Sequence, residues 1–138
     1  MRKQYHLRPS ERGLLAWDVD RLVALTKDFP CIHVPLSSIR ELDEPFWFSD
    51  DDTPTCRAVV EHARLMEAAD LAYPIILSSD GRVMDGMHCV GKAALLGRSA
   101  IEVVRFTKDP EPDYIGVLPK FLMDFVTALC WLFRSAHE

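Results

Sequence analysis

The chain lacks the usual cysteine signatures of a metal or redox site. Its four cysteines, Cys31, Cys56, Cys89 and Cys130, are spaced by 25, 33 and 41 residues, with no C-x-x-C pair and no Cys/His set at zinc-finger spacing. It also lacks a bilayer-length apolar run: the stretch 125–133 falls far short of the ~20 residues a spanning helix needs, so no membrane partner is expected. No secretory apolar core follows Met1-Arg2-Lys3-Gln4-Tyr5-His6, so reduced thiols in the cytoplasm are the expectation. Positive charge is not in excess either. Sixteen Lys and Arg against 21 Asp and Glu give a net charge of −5, a field that repels phosphate backbones at long range and makes DNA a poor partner. Internal repeats and low-complexity segments are absent.

What is present reads as one soluble globular unit. At 138 residues, 49% hydrophobic and 27% charged, the chain can bury a core without disulfides or metal. The expected class is α/β (α+β), a small mixed sheet with flanking helices. Residues 1–117 form the domain, and 118–138 form an apolar C-terminal helix packed on it or used at an oligomer interface. Phe121, Leu122, Phe125, Val126, Leu129, Trp131, Leu132 and Phe133 make 119–134 the candidate surface for a homo-oligomer.

Local signals place the elements. Asp18 can cap a helix over 19–26 with Val19, Leu22, Val23 and Leu25 as its apolar positions. Residues 31–35 read as a strand, 37–42 as a helical turn, and 43–53 as a loop carrying Phe46-Trp47-Phe48 and Asp50-Asp51-Asp52. Thr53-Pro54 reads as a helix start. Cys56, Val59, Val60, Ala63, Met66 and Ala69 then recur at helical spacing to about residue 70. Residues 107–119 are Pro-rich and read as irregular.

The richest segment is 73–97. An apolar run, Asp80-Gly81, a second short run and Asp85-Gly86 lead into a helical pattern. This order reads as strand, type I′ hairpin, strand and then a helix opening at a glycine, with Val90, Ala93, Ala94 and Leu95 on its apolar face and Gly97 as C-cap. A strand at 100–106 should cross back into the same sheet. A helix that starts where a strand ends presents unpaired N–H groups and partial positive charge, which suits an anion.

The pattern strand–Asp-Gly–strand–Asp-Gly-x-His–helix, followed by Ile101-Glu102-Val103-Val104-Arg105-Phe106, resembles the ParB/sulfiredoxin superfamily, in particular small ParB-like (ParB-like nuclease domain) proteins. The resemblance covers about residues 31–106. It implies a nucleotide or other phosphorylated ligand, with Mg²⁺ as an accompanying cofactor, held by the box Gly86, Met87, His88 and Cys89. Met87 stands where sulfiredoxins carry their cysteine, and His88 and Cys89 stand where ParB proteins carry two arginines. Lys92, three residues further on, is a candidate replacement cation.

Each candidate has a plainer role. His88 can bind a phosphate or cap backbone groups, and Cys89 is expected to be a small buried thiol. Asp85 can act as a base or Mg²⁺ ligand, or simply satisfy turn amides. The Asp50–Asp52 run favours a helix start and stays solvated. Phe46-Trp47-Phe48 can stack on a base, though core packing is the simpler fate. Glu61 and His62 are expected at the border of the long helix or in solvent. Three functions follow: a phosphorylated-ligand-binding domain, a metal-dependent phosphotransferase or nuclease using Asp85 or Glu61, and a non-catalytic interaction protein with a degenerate pocket.

Overall fold

The computed structural model describes residues 3–49 and 51–116. The expected apolar helix of 119–134, its oligomer surface, Asp50 and Cys130 lie outside the described residues. The elements run β1 (Tyr5–Ser10), β2 (Gly13–Asp18), α1 (Val19–Thr26), β3 (Ile32–Pro35), two 3-10 turns (Leu36–Ser38 and Arg40–Asp43), α2 (Cys56–Ala68), β4 (Ile75–Leu77), β5 (Val83–Asp85), α3 (Met87–Leu95), β6 (Ala100–Arg105) and β7 (Tyr114–Ile115). This is a mixed α/β architecture with two sheets.

The four-stranded sheet has the order β3-β6-β4-β5. β6 lies parallel to β4, with Ile75 opposite Val103, so the chain does cross back through α3 into the same sheet. β3 and β5 flank that parallel pair and run antiparallel to their neighbours. Ile75, Leu77, Val83 and Val103 bury one face with Met87, Val90 and Ala93 of α3. Ile76, Met84 and Val104 point to the other face, against Leu15, Trp17 and Leu22. Alternation along short strands thus divides the core into two layers on either side of the sheet.

The second sheet, β1-β2-β7, has no counterpart among the sequence expectations. Its hairpin is closed at Ser10, whose Oγ donates to the Gly13 carbonyl (2.7 Å) and accepts from the Arg12 amide (3.1 Å). β7 pairs Leu15 with Ile115 inside a segment expected to be irregular.

Several local expectations need correction. The hairpin at Asp80-Gly81 is not a type I′ turn, because no residue other than glycine has positive φ among the described residues. Instead the Gly81 amide donates to the Ser78 carbonyl (3.0 Å), and Gly81 alone takes φ +84. Asp80 accepts from the Ser78 hydroxyl, which stabilises the right-handed turn. Helix α2 starts at Cys56, capped by Thr55 Oγ1 accepting from the Ala58 amide (3.1 Å), and not at Thr53-Pro54. Its inward face is also different: Val59 and Val60 are exposed, while Ala58, His62, Leu65 and Met66 are half-buried, with His62 and Met66 meeting α3. On α3 the buried positions are Met87, Val90 and Ala93, with Ala94 and Leu95 exposed. α1 is capped by Asp18 as expected, but only Leu22 and Thr26 are buried there.

Candidate functional site

α3 begins where β5 ends. Gly86 is its N-cap at φ +106 and ψ 21, with no side chain capping the turn. The backbone conformation calls for glycine, and a Cβ here would lie 2.7 Å from Ile75 Cδ1 and displace that methyl. The first intrahelical bond runs from the Val90 amide to the Gly86 carbonyl (3.1 Å). The amides of Met87, His88 and Cys89 meet no acceptor among the described residues. Three donors are therefore open in one helical turn, where the helix dipole is positive.

The side chains of the box go in different directions. Met87 is buried in the core beside Ile75 and Val103. Cys89 is half-buried, its thiol 3.6 Å from the Asp70 carbonyl, and burial pushes its pKa up. Cys89 is thus less buried than the small buried thiol expected there. Lys92 donates to the carbonyls of Glu67 (2.9 Å) and Ala69 (2.7 Å), so its ammonium caps the C-terminal end of α2. Asp85 is half-buried. Burial pushes its carboxyl above the ordinary value, against the opposing pull of the Gly86 amide.

His88 is the box side chain that builds something. Its Nε2 lies 3.0 Å from Nδ1 of His62, which projects from the inward face of α2. Trp47 stacks on both imidazoles, with centroids 4.6 Å from His62 and 4.8 Å from His88 at angles of 20° and 13°. Phe48 meets His62 edge-on at 5.4 Å. Sequence reasoning missed His62 because it gave the inward face of α2 to Val59 and Val60. The available signal was the heptad-like run Ala58, His62, Leu65, Met66, Ala69, which carries one polar residue.

Burial lowers the pKa of both histidines, that of His88 to about 4 with the neighbouring His62 adding to the effect. At neutral pH both rings are therefore uncharged and share one hydrogen. In the tautomer where His62 Nδ1–H donates, His88 carries its own proton on Nδ1 and keeps a donor in the first turn of α3.

Of the expected aromatic trio, Trp47 packs against the core cluster while Phe46 stays 43% exposed. Glu61 points away from the site and pairs with Arg64. Asp51 is exposed, and Asp52 accepts from the Ser49 hydroxyl (2.9 Å). No group of three or more His, Cys, Asp or Glu side chains is arranged to hold a metal ion among the described residues. Among those residues no helix is long and apolar enough to cross a membrane. No family model matches the chain, and no curated protein or solved structure is significantly similar to it. The ParB/sulfiredoxin resemblance thus rests on the sequence pattern of residues 31–106 alone.

Proposed function

We propose that the chain binds a nucleotide or another phosphorylated ligand at the N-terminal end of α3, as a binding module. The observation that carries this reading is the run of amides at Met87, His88 and Cys89 that meet no acceptor among the described residues, at the helix start set by the positive-φ turn at Gly86. Phosphate oxygens accept such amides, and the helix dipole favours their charge. Met87 and Cys89 contribute backbone and not side chains. His88 adds a side-chain donor from the same turn, held in place by His62 and Trp47. Lys92 takes no part, since the α2 carbonyls hold its ammonium.

The same geometry speaks for binding more than for turnover. Asp85 is the carboxylate that the box itself supplies, and no metal-ligating group of three gathers around it among the described residues. Isothermal calorimetry with a panel of nucleoside mono-, di- and triphosphates, with and without Mg²⁺, tests the reading. The expected result is saturable binding by at least one of them, weakened about tenfold in His88→Ala, the loss of one hydrogen bond to a charged group. Absence of heat across the panel ends the assignment.

A further inference from the structure

A groove runs along the flank of α3 and shares the Met87 side chain with the box. Leu42, Phe46, Met66, Met87, Ala94 and Leu95 line a groove of about 450 Å³ between α2, α3 and the 44–48 loop. Its lining is apolar except at one end, where Glu41 and Glu44 stand. That end is short of positive charge. Arg82 Nη1 serves both carboxylates, lying 2.6 and 2.7 Å from the two oxygens of Glu44 but 3.6 Å from Glu41 Oε1. Glu41 is only 4% exposed, and its Oε2 accepts the Val83 amide at 2.6 Å. Its Oε1 is buried without a hydrogen-bond partner among the described residues. The next arginine, Arg40, is held on the Asp80 carbonyl (2.8 Å).

We propose that this groove binds a small organic cation: an apolar, ring-sized body lying against Phe46, Met66 and Leu95, with a protonated amine shared between Glu41 and Glu44. Two observations select that chemistry. A buried carboxylate oxygen without a donor is costly, and an incoming ammonium supplies the missing bonds and evens a two-to-one charge imbalance. The volume lies in the range of small-molecule sites. The groove follows only the nine residues of α3, roughly 13 Å of helix, which is short for a peptide helix. The charge preference is opposite to that of the box, so this ligand is not the phosphorylated one.

The test is a titration of the full chain labelled with ¹³C-methyl methionine, following the Met66 and Met87 methyl signals. The probes are 2-naphthylmethylammonium, the neutral 2-naphthylmethanol and the anionic 2-naphthoate. The ammonium should shift both signals and saturate at roughly tenfold lower concentration than the alcohol, with the carboxylate weakest. Ala94→Phe fills the groove from an exposed helix position and should abolish the shifts. Glu44→Gln, at an exposed side chain, should shrink the preference for the ammonium to about threefold or less. Equal binding of ammonium and alcohol, shifts that survive Ala94→Phe, or no shift at all would overturn the proposal. Inorganic phosphate added to saturation should leave the ammonium titration unchanged, so failure at the box and failure at the groove are read separately.

Discussion

His62 Nδ1 and His88 Nε2 lie 3.0 Å apart and tie the middle of α2 to the first turn of α3. Neither helix could place this pair alone. α2 has no fully buried residue among the thirteen it comprises, so its hold on the domain depends on a few half-buried contacts. Trp47 closes the pair from above by stacking on both rings. The polar contact that links the helices is thus also the contact that orients the His88 ring at the start of α3.

The first prediction concerns that coupling. His62→Ala and His88→Ala should each cost about 1–2 kcal/mol, the sum of a half-buried hydrogen bond and part of a ring stack. The double variant should cost less than the sum of the two, by about 0.5–1 kcal/mol. Urea unfolding of the four proteins measures the cycle. Strict additivity would show that the two rings stabilise the domain independently, against the geometry described.

Acid should weaken the fold in a defined window. Burial holds both His6 and His88 down to about 4 from an ordinary value near 6.5. Below 6.5 the unfolded chain takes up protons that the folded chain refuses, so stability falls as pH drops toward 4. Above about 7 neither state binds them, and this contribution is flat. Melting temperature measured from pH 8 to pH 4.5 should hold level and then decline. His6→Phe should flatten part of that decline, because His6 packs on Trp17 with its Nε2 unpartnered among the described residues. An unchanged pH profile in both His6→Phe and His88→Ala contradicts the assignment.

Much of the fold could be read from local signals, and the misses share one cause. Asp18 before α1, the β-branched run at β3 and the strand–helix order of 73–106 all act over a few residues, and each appears where expected. What a single segment could not reveal was which face meets a partner. Val59 and Val60 look like the core face of α2, yet they are exposed at 52% and 60%. The inward face was chosen by the partner helix, where Gly91 leaves room for Met66, whose Sδ would lie 2.7 Å from a Cβ there. β1 and β7 were missed for a related reason. Their segments carry Arg8, Pro9, Pro110 and Pro112, and their pairing is stabilised by distant contacts such as Trp17 Nε1–H to the Pro110 carbonyl (2.8 Å). At the box, Gly86 and His88 were legible because turn geometry is local. His62 and Trp47 were not, because they arrive from elsewhere in the chain.

Lys92 separates a structural cation from a ligand-binding one. Its ammonium donates to two terminal carbonyls of α2, which have no helical partners of their own. Lys92→Met should therefore lower stability by about 1 kcal/mol and leave phosphate affinity at the box within a factor of about two, less than a bond to a charged group is worth. Thermal unfolding and calorimetry on the same sample measure both. A large loss of affinity with unchanged stability would return Lys92 to the binding site.

Two glycines with positive φ allow the geometry of the box to be tested against an internal control. Gly97 ends α3 at φ +70 with nothing within 4 Å of a built Cβ. Gly97→Ala should then cost only the left-handed backbone conformation, about 1–2 kcal/mol. Gly86 adopts φ +106, and its Cβ would meet Ile75 Cδ1 at 2.7 Å at the edge of the buried cluster that holds Ile75. Relief requires turning the Ile75 Cδ1 methyl within a packed core or tilting the first turn of α3. Gly86→Ala should cost about 3 kcal/mol or more, the backbone strain plus the overpacking. Because the same tilt would redirect the open amides, phosphate binding should fall further in this variant than its loss of folded protein explains. If both substitutions cost the same and binding survives, the close approach of Gly86 to Ile75 is not what sets the direction of α3.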